Sequence, residues 1–167
     1  MPLSVLVVGA GPGGVAAAVQ LHRLGARVSW WDRTGDIGGL LRNARAVENW
    51  PGMPVGAPGS ACCDRLREHA STFGLQPEPA QATGSCESGT GVEVARVGGA
   101  VERVDAVVWA IGTQPLPWAL AGQALPVFHE FCEIPENARR LLVVGGGEAA
   151  CDGALHWVQR GARAVLA

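Results

Sequence analysis

The chain contains no tyrosine, and all 13 of its basic residues are arginine, so it has no lysine either. Lysine Schiff-base chemistry, a P-loop lysine and tyrosine-based reductase chemistry are therefore excluded. An excess of either charge is also missing. The 13 basic and 15 acidic side chains leave a net charge of −2. That balance gives no footprint for nucleic acid or an anionic membrane. No apolar run reaches the ~18 residues of a membrane-spanning helix. The opening Met1-Pro2-Leu3-Ser4 lacks the basic region of a signal peptide, so a cytoplasmic location is expected. There is no C-x-x-C. Cys62, Cys63, Cys86, Cys132 and Cys151 are irregularly spaced, which fits free thiols better than a disulfide framework and matches no zinc site.

Glycine is what the chain does have, 24 of 167 residues. Much of it sits where hydrophobic runs meet helical patterns. Ser4 to Val8 is a short aliphatic run with the look of a buried parallel strand. Glycines follow, then helical spacing from Val15 to Leu24, with Gly25 as the stop. Val28 to Trp31 reads as a second strand, completing a right-handed β-α-β unit. The stretch 33–59 is rich in Gly, Pro and Asn and too long for an ordinary connection, which suggests a functional loop. Ser60 is expected to cap a helix that runs to Phe73 and stops at Gly74. Residues 76–104 read as an antiparallel hairpin or meander. Ala106 to Ile111 is a further buried strand, and 113–126, with three prolines, reads as a linker or crossover. Leu141 to Val144, Gly147 to Arg160 and Ala164 to Leu166 read as strand, helix and strand. The β-α-β pattern thus occurs twice, which predicts two nucleotide-binding units.

The first copy carries Gly9-x-Gly11-x-x-Gly14 between strand and helix. Gly9 permits the tight turn, Gly11 lets the backbone approach a pyrophosphate, and Gly14 lets helix and strand pack closely. The phosphate would rest on the N–H groups and positive end of the helix. Asp32 ends the second strand, where a carboxylate accepts hydrogen bonds from a ribose. The second copy, Gly145-Gly146-Gly147-Glu148-Ala149-Ala150, repeats the pattern as GxGxxA, with Gly145, Gly147 and Ala150 in the three roles. The residue that separates NAD from NADP lies at or after the end of the following strand.

Two such motifs joined by this loop resemble the thioredoxin reductase-like group of pyridine nucleotide-disulfide oxidoreductases. Gly38-Gly39-Leu40 followed by Val47-Glu48-Asn49-Trp50-Pro51-Gly52 is similar to the family's GGQL and VENYPG stretches. Leu66-Arg67-Glu68-His69-Ala70 and Phe73-Gly74 resemble its next helix. Ala110-Ile111-Gly112-Thr113 resembles its ATG motif, and the second glycine motif resembles its GGGDSA stretch, with Asp152 at a family acid. The resemblance implies an α/β, Rossmann-like FAD/NAD(P)-binding fold: a parallel sheet flanked by helices with a small antiparallel meander, plus the start of a second Rossmann unit. It places an FAD-binding domain at 1–115, a linker at 116–140 and an NAD(P)-binding unit at 141–167. By that resemblance Gly9, Gly11, Pro12, Gly14, Asp32 and Arg33 hold the ADP half of FAD. Gly39, Leu40, Asn49, Ala110 and Gly112 lie towards the flavin. Gly145, Gly147 and Ala150 bind NAD(P)H, which passes hydride to FAD. A homodimer is the assembly that the family implies.

The sequence departs from the family where its CxxCD dithiol should stand. His129-Glu130-Phe131-Cys132-Glu133 is found there, with Cys132 matching the flavin-proximal cysteine and Glu133 the acid. One thiol cannot close an internal disulfide. Cys132 is then either a redox-active thiol whose pKa His129 lowers, or a cysteine without chemistry. Cys62, Cys63, Trp30 and Trp31 read as packing residues, and His22, His69 and His156 as ordinary helix residues. Family members are longer, and the chain is expected to match their N-terminal half. Three readings stay open: an FAD-dependent NAD(P)H oxidoreductase with a small-molecule or protein acceptor other than thioredoxin, a nucleotide-binding module without turnover, and a truncated homologue without independent function.

Overall fold

The computed structural model describes residues 1–114 and 125–167. The expected linker falls in part on residues 115–124, outside the described residues. Two compact units are present. One comprises residues 1–41 and 62–112, the other 42–61 and 113–167.

The first unit opens with β1 (Ser4–Val8), buried over its whole length. Helix α1 (Pro12–Arg23) follows, then β2 (Arg27–Asp32), parallel to β1. Gly25 closes α1 as expected: its N–H donates to His22 O and that of Ala26 to Leu21 O. Helix α2 (Gly59–Thr72) ends in the same way before Gly74. Its start differs from the sequence expectation, because Ser60 lies inside the first turn. A main-chain bond from Gly59 N–H to Ala44 O fixes that end instead.

After α2 comes β3 (Glu78–Pro79), a two-residue strand that the sequence pattern does not reveal. The expected meander is β4 (Ala82–Ser88), β5 (Gly91–Arg96) and β6 (Val101–Val104), all antiparallel. β7 (Ala106–Trp109) returns beside β1, giving a parallel sheet in the order β3-β2-β1-β7. Strand alternation assigns the two faces of this sheet. Val7 and Trp30 point to the side of α1 and α2, where they join Val15, Ala18, Ile37 and Ala70. Leu6, Val8 and Trp31 point the other way, onto Val94 and Val104 of the meander. Trp30 and Trp31 are both core residues, as their expected packing role requires. Leu6 has no exposed surface; replacing such a leucine by alanine costs about 2–5 kcal/mol.

In the second unit β8 (Arg140–Val143) and β9 (Arg163–Leu166) pair in parallel around α3 (Glu148–Gln159). Trp157 and Ala154 of α3 are buried. The Val47–Ala57 loop is closed by an antiparallel bridge. A 3₁₀ turn at Phe131–Glu133 lays the Phe131 ring directly on Gly153 of α3. Among the described residues no helix is long and apolar enough to cross a membrane.

Candidate functional site: two glycine turns

The first glycine turn forms where β1 hands over to α1. Gly9 adopts φ +105° there, and a β-carbon on it would overlap the Ala110 carbonyl. A β-carbon on Gly14 would overlap the Gly9 carbonyl. Both positions therefore need glycine: Gly9 for the turn and the approach of β7, Gly14 for the packing of helix on strand. Gly11 and Gly13 are different, with nothing within 4 Å of where a β-carbon would sit. They border open space at the start of α1. Gly11 caps that helix without a side-chain hydrogen bond, Pro12 follows it, and the first turn holds no acidic residue. Helix geometry leaves first-turn N–H groups without intrahelical partners. The start of α1 is thus an uncapped, positively polarised end with room above it, which fits a pyrophosphate.

Asp32 stands beside this turn at the end of β2. One carboxylate oxygen accepts the Ala10 N–H at 2.9 Å. The other accepts both the N–H and the hydroxyl of Thr34, at 2.8 and 2.7 Å. The carboxylate is held at two points with acceptor capacity left for a ribose hydroxyl. Arg33, next in the chain, lines an open cleft of about 560 Å³ with Glu78, Gln81, Arg96 and Gly98. The size suits part of a nucleotide. Arg96 also ion-pairs with Glu78 and lies 5.4 Å from the Trp31 ring centre.

Gly39 opens a 3₁₀ turn (Gly39–Asn43) that includes the exposed Leu40. A β-carbon on Gly39 would lie 3.2 Å from Gly11 Cα, so this loop runs close over the glycine turn. Gly38 N–H donates to Ala10 O at 2.8 Å. Ala110 and Gly112 follow β7, with the Ala110 N–H bonded to Val8 O. The first unit therefore brings together Gly9, Gly11, Pro12, Gly14, Asp32, Gly39 and Ala110, while Arg33 faces the cleft and Gly112 lies further along the chain beyond β7.

Asn49, Cys132, Gly145, Gly147 and Ala150 lie in the second unit. Gly145, at φ +130°, donates its N–H to Ala167 O, and Gly147 caps α3 without a side-chain hydrogen bond. Ala150 replaces the third glycine without crowding: its β-carbon lies 3.8 Å from where one on Gly145 would sit. Asp152 receives Arg45 Nε at 2.7 Å and the Arg45 backbone N–H at 3.1 Å.

The Cys132 backbone N–H donates to Asn43 Oδ1 at 3.1 Å, and Sγ lies 3.6 Å from Glu130 Oε2. Burial pushes the Cys132 thiol above its ordinary range. The Glu130 carboxylate adds to that rise, and Arg42 opposes it. This direction is opposite to activation by His129.

Thr34, Asn43, Glu130 and Arg45 are parts of these sites that sequence reasoning missed. Only Thr34 left a local signal, since Asp-x-Thr is the spacing at which a hydroxyl and an N–H fold back onto a carboxylate.

Residues 4–51 match the family model of FAD dependent oxidoreductases. The thioredoxin reductase of Streptomyces coelicolor is 28% identical over 155 residues, covering 89% of this chain and 48% of that protein. That of Bacillus subtilis is 29% identical over 161 residues, again 89% of this chain and 48% of the relative. Among solved structures, the Lactococcus lactis thioredoxin reductase in its FR conformation superposes with a TM-score of 0.86 at 22% identity, covering 98% of this chain and 55% of that one. The bacillithiol disulfide reductase of Staphylococcus aureus gives a TM-score of 0.76 at 18% identity, covering 99% and 57%. The chain spans about half the length of the relatives it matches. Over most of its length the chain is similar to thioredoxin reductases, and its first glycine turn lies within the stretch that matches the model of FAD dependent oxidoreductases.

Proposed function

We propose that the first unit binds FAD, that the second binds NAD(P)H, and that the chain belongs to a system passing hydride from NAD(P)H through FAD to an acceptor other than thioredoxin. One observation carries this reading: the uncapped start of α1, with open space at Gly11 and Gly13 and the Asp32 carboxylate fixed beside it. That arrangement fits the ADP half of a dinucleotide, with pyrophosphate on the N–H groups and ribose on Asp32. When bound, FAD supplies a ring able to accept hydride and release electrons. The protein binds, orients and shields it. The glycine turn at 145–147, with open space at Gly146 and Gly147 and no side-chain cap on α3, supports a nicotinamide dinucleotide in the second unit, though Glu148 puts a carboxylate in a first turn where α1 has none.

Cys132 supports an acceptor other than thioredoxin. Thioredoxin reduction through the protein needs a thiol pair that closes into a disulfide. Cys132 is the one cysteine in the 129–133 stretch, and its thiol is pushed towards the unreactive protonated form. A small molecule or a protein reduced directly by the flavin fits better. The same raised thiol favours a second reading, a dinucleotide-binding module without turnover.

Visible absorption after reconstitution with FAD, followed by anaerobic titration with NADH and NADPH, tests both. Flavin absorbance that either nicotinamide bleaches is the expected result. Flavin that neither bleaches favours the binding module. A colourless chain that cannot be reconstituted overturns both readings.

A further inference from the structure

Arg67 lies on α2, far in sequence from the glycine turn, yet its guanidinium is spent on the loop that covers that turn. Nε and Nη2 both donate to Asp36 Oδ1, at 3.1 and 3.0 Å. Nη2 also donates to the Ile37 carbonyl at 3.2 Å. Nη1 donates to Asp64 Oδ1 at 2.5 Å, one helical turn back on α2, which aims the side chain at the loop. A planar fork directs its five N–H donors outwards from three nitrogens and so reaches acceptors on both sides of the side chain, whereas the three donors of an ammonium diverge from a single atom.

What Arg67 holds leads on to the proposed ribose contact. The Asp36 N–H donates to Thr34 Oγ1 at 3.2 Å. Thr34 in turn donates twice to Asp32 Oδ1, and Asp32 Oδ2 accepts the Ala10 N–H. In the other direction Ile37 is buried in the core, Gly38 is bonded to Ala10, and Gly39 lies against Gly11. Residues 32–39 are thus tied to the glycine turn at both ends and to α2 in the middle. A loop of this composition would otherwise sample many conformations.

We infer that Arg67, aimed by Asp64, is a positioning residue that sets Asp32 and the Gly38–Gly39 backbone for a dinucleotide before it arrives. The inference rests on the FAD reading of the first unit and names a residue that acts on the site without touching it. If the loop is ordered only a tenth of the time without Arg67, apparent affinity falls about tenfold.

Two measurements on the whole chain test this. The first is amide hydrogen exchange of the ligand-free protein, compared between the parent, Arg67→Gln and Arg67→Lys. Exchange over residues 33–40 rises in Arg67→Gln while the meander is unchanged, and Arg67→Lys falls between. The second is FAD titration of the same three proteins. The dissociation constant rises in Arg67→Gln, about tenfold if the loop is then ordered a tenth of the time, and Arg67→Lys recovers part of the loss. Unchanged exchange over 33–40 overturns the inference. So does unchanged FAD affinity in Arg67→Gln, or a loss that Arg67→Lys does not relieve. Those outcomes leave the FAD reading intact if the parent binds FAD; a parent that binds none brings down the reading and this inference together.

Discussion

Asp32 and Ala10 are joined by a 2.9 Å hydrogen bond from the Ala10 N–H to the Asp32 carboxylate, across the mouth of the first glycine turn. The same carboxylate holds Thr34. One side chain therefore organises the turn and offers itself to a ribose. Asp32→Asn keeps the size but loses the charge, and its NH2 can no longer accept on one of the two sides held by Ala10 and Thr34. Hydrogen bonds to an ionised acceptor contribute about 1.5–3 kcal/mol, so FAD affinity is expected to drop about 10- to 100-fold. Fluorescence titration of flavin with the variant measures it. An affinity within twofold or so of the parent would show that Asp32 makes no ribose contact.

Gly13 and Gly14 are neighbours with opposite demands. A β-carbon at Gly14 collides with the Gly9 carbonyl, whereas one at Gly13 enters open space. Gly14→Ala should lose stability by about 1–3 kcal/mol or more. Gly13→Ala should leave the ligand-free chain as stable or up to about 1 kcal/mol more so, because alanine favours the helix. It should still bind FAD less well, since the methyl group occupies the cradle. Denaturant titration and FAD titration of both variants read the two effects separately. A Gly13→Ala protein with full FAD affinity would place the pyrophosphate elsewhere.

The β-α-β core of the first unit was legible because each of its signals is local. The buried run at Ser4–Val8, the glycine spacing and the stop at Gly25 need only near neighbours in sequence. β3 was not legible, since two residues ending in Pro79 show no alternation and pair only because β2 lies beside them. Ser60 looked like a cap, but a carbonyl from Ala44 decides where α2 begins. The partners of Asp152 and Cys132, Arg45 and Asn43, are 107 and 89 residues away, and no periodicity reports such a pairing. The candidate residues were proposed from local motifs; the groups that hold them leave no such local pattern.

Asp105 gives the stability of the first unit an acid limb. Its carboxylate accepts the Ser4 hydroxyl and N–H at 2.6 and 2.7 Å, and these bonds hold it below the ordinary carboxylate value. Because the folded value is depressed, the contribution is present above the unfolded value of about 4. It is lost as the pH falls through the folded value. Asp105→Asn should flatten that part of the stability curve, and Ser4→Ala should move the carboxyl back up. Denaturation midpoints measured from about pH 7 down to pH 3 check both, in the window where carboxylates protonate. An acid limb unchanged in Asp105→Asn would assign it to other groups.

Cys132, although an exposed residue, should alkylate more slowly than an ordinary thiol, because partial desolvation of its sulfur and the Glu130 carboxylate push the thiol up. Glu130→Gln removes the carboxylate and should shift the rate–pH curve of Cys132 to lower pH. Rates followed peptide by peptide by mass spectrometry separate it from Cys86 and Cys151, which are also exposed. Cys132→Ser should leave FAD content and any NAD(P)H oxidation unchanged. A large loss of turnover with full flavin content would instead make this thiol part of the chemistry.

Phe131 and Gly153 set the position of the 129–133 stretch within the second unit. The ring lies where a β-carbon on Gly153 would go, so Gly153→Ala must displace it. Overfilling of this kind costs about 1–3 kcal/mol. Phe131→Ala removes the ring and leaves Gly153 with less cover, a loss in the opposite sense. The double variant restores space for the new methyl group, so its loss should be smaller than the sum of the two single losses. Residues in direct contact show such coupling, about 0.5–3 kcal/mol in a double-mutant cycle. Trp157, buried on the same helix, offers a fluorescence signal for unfolding. Additive losses would mean that the ring and Gly153 do not share this contact in solution.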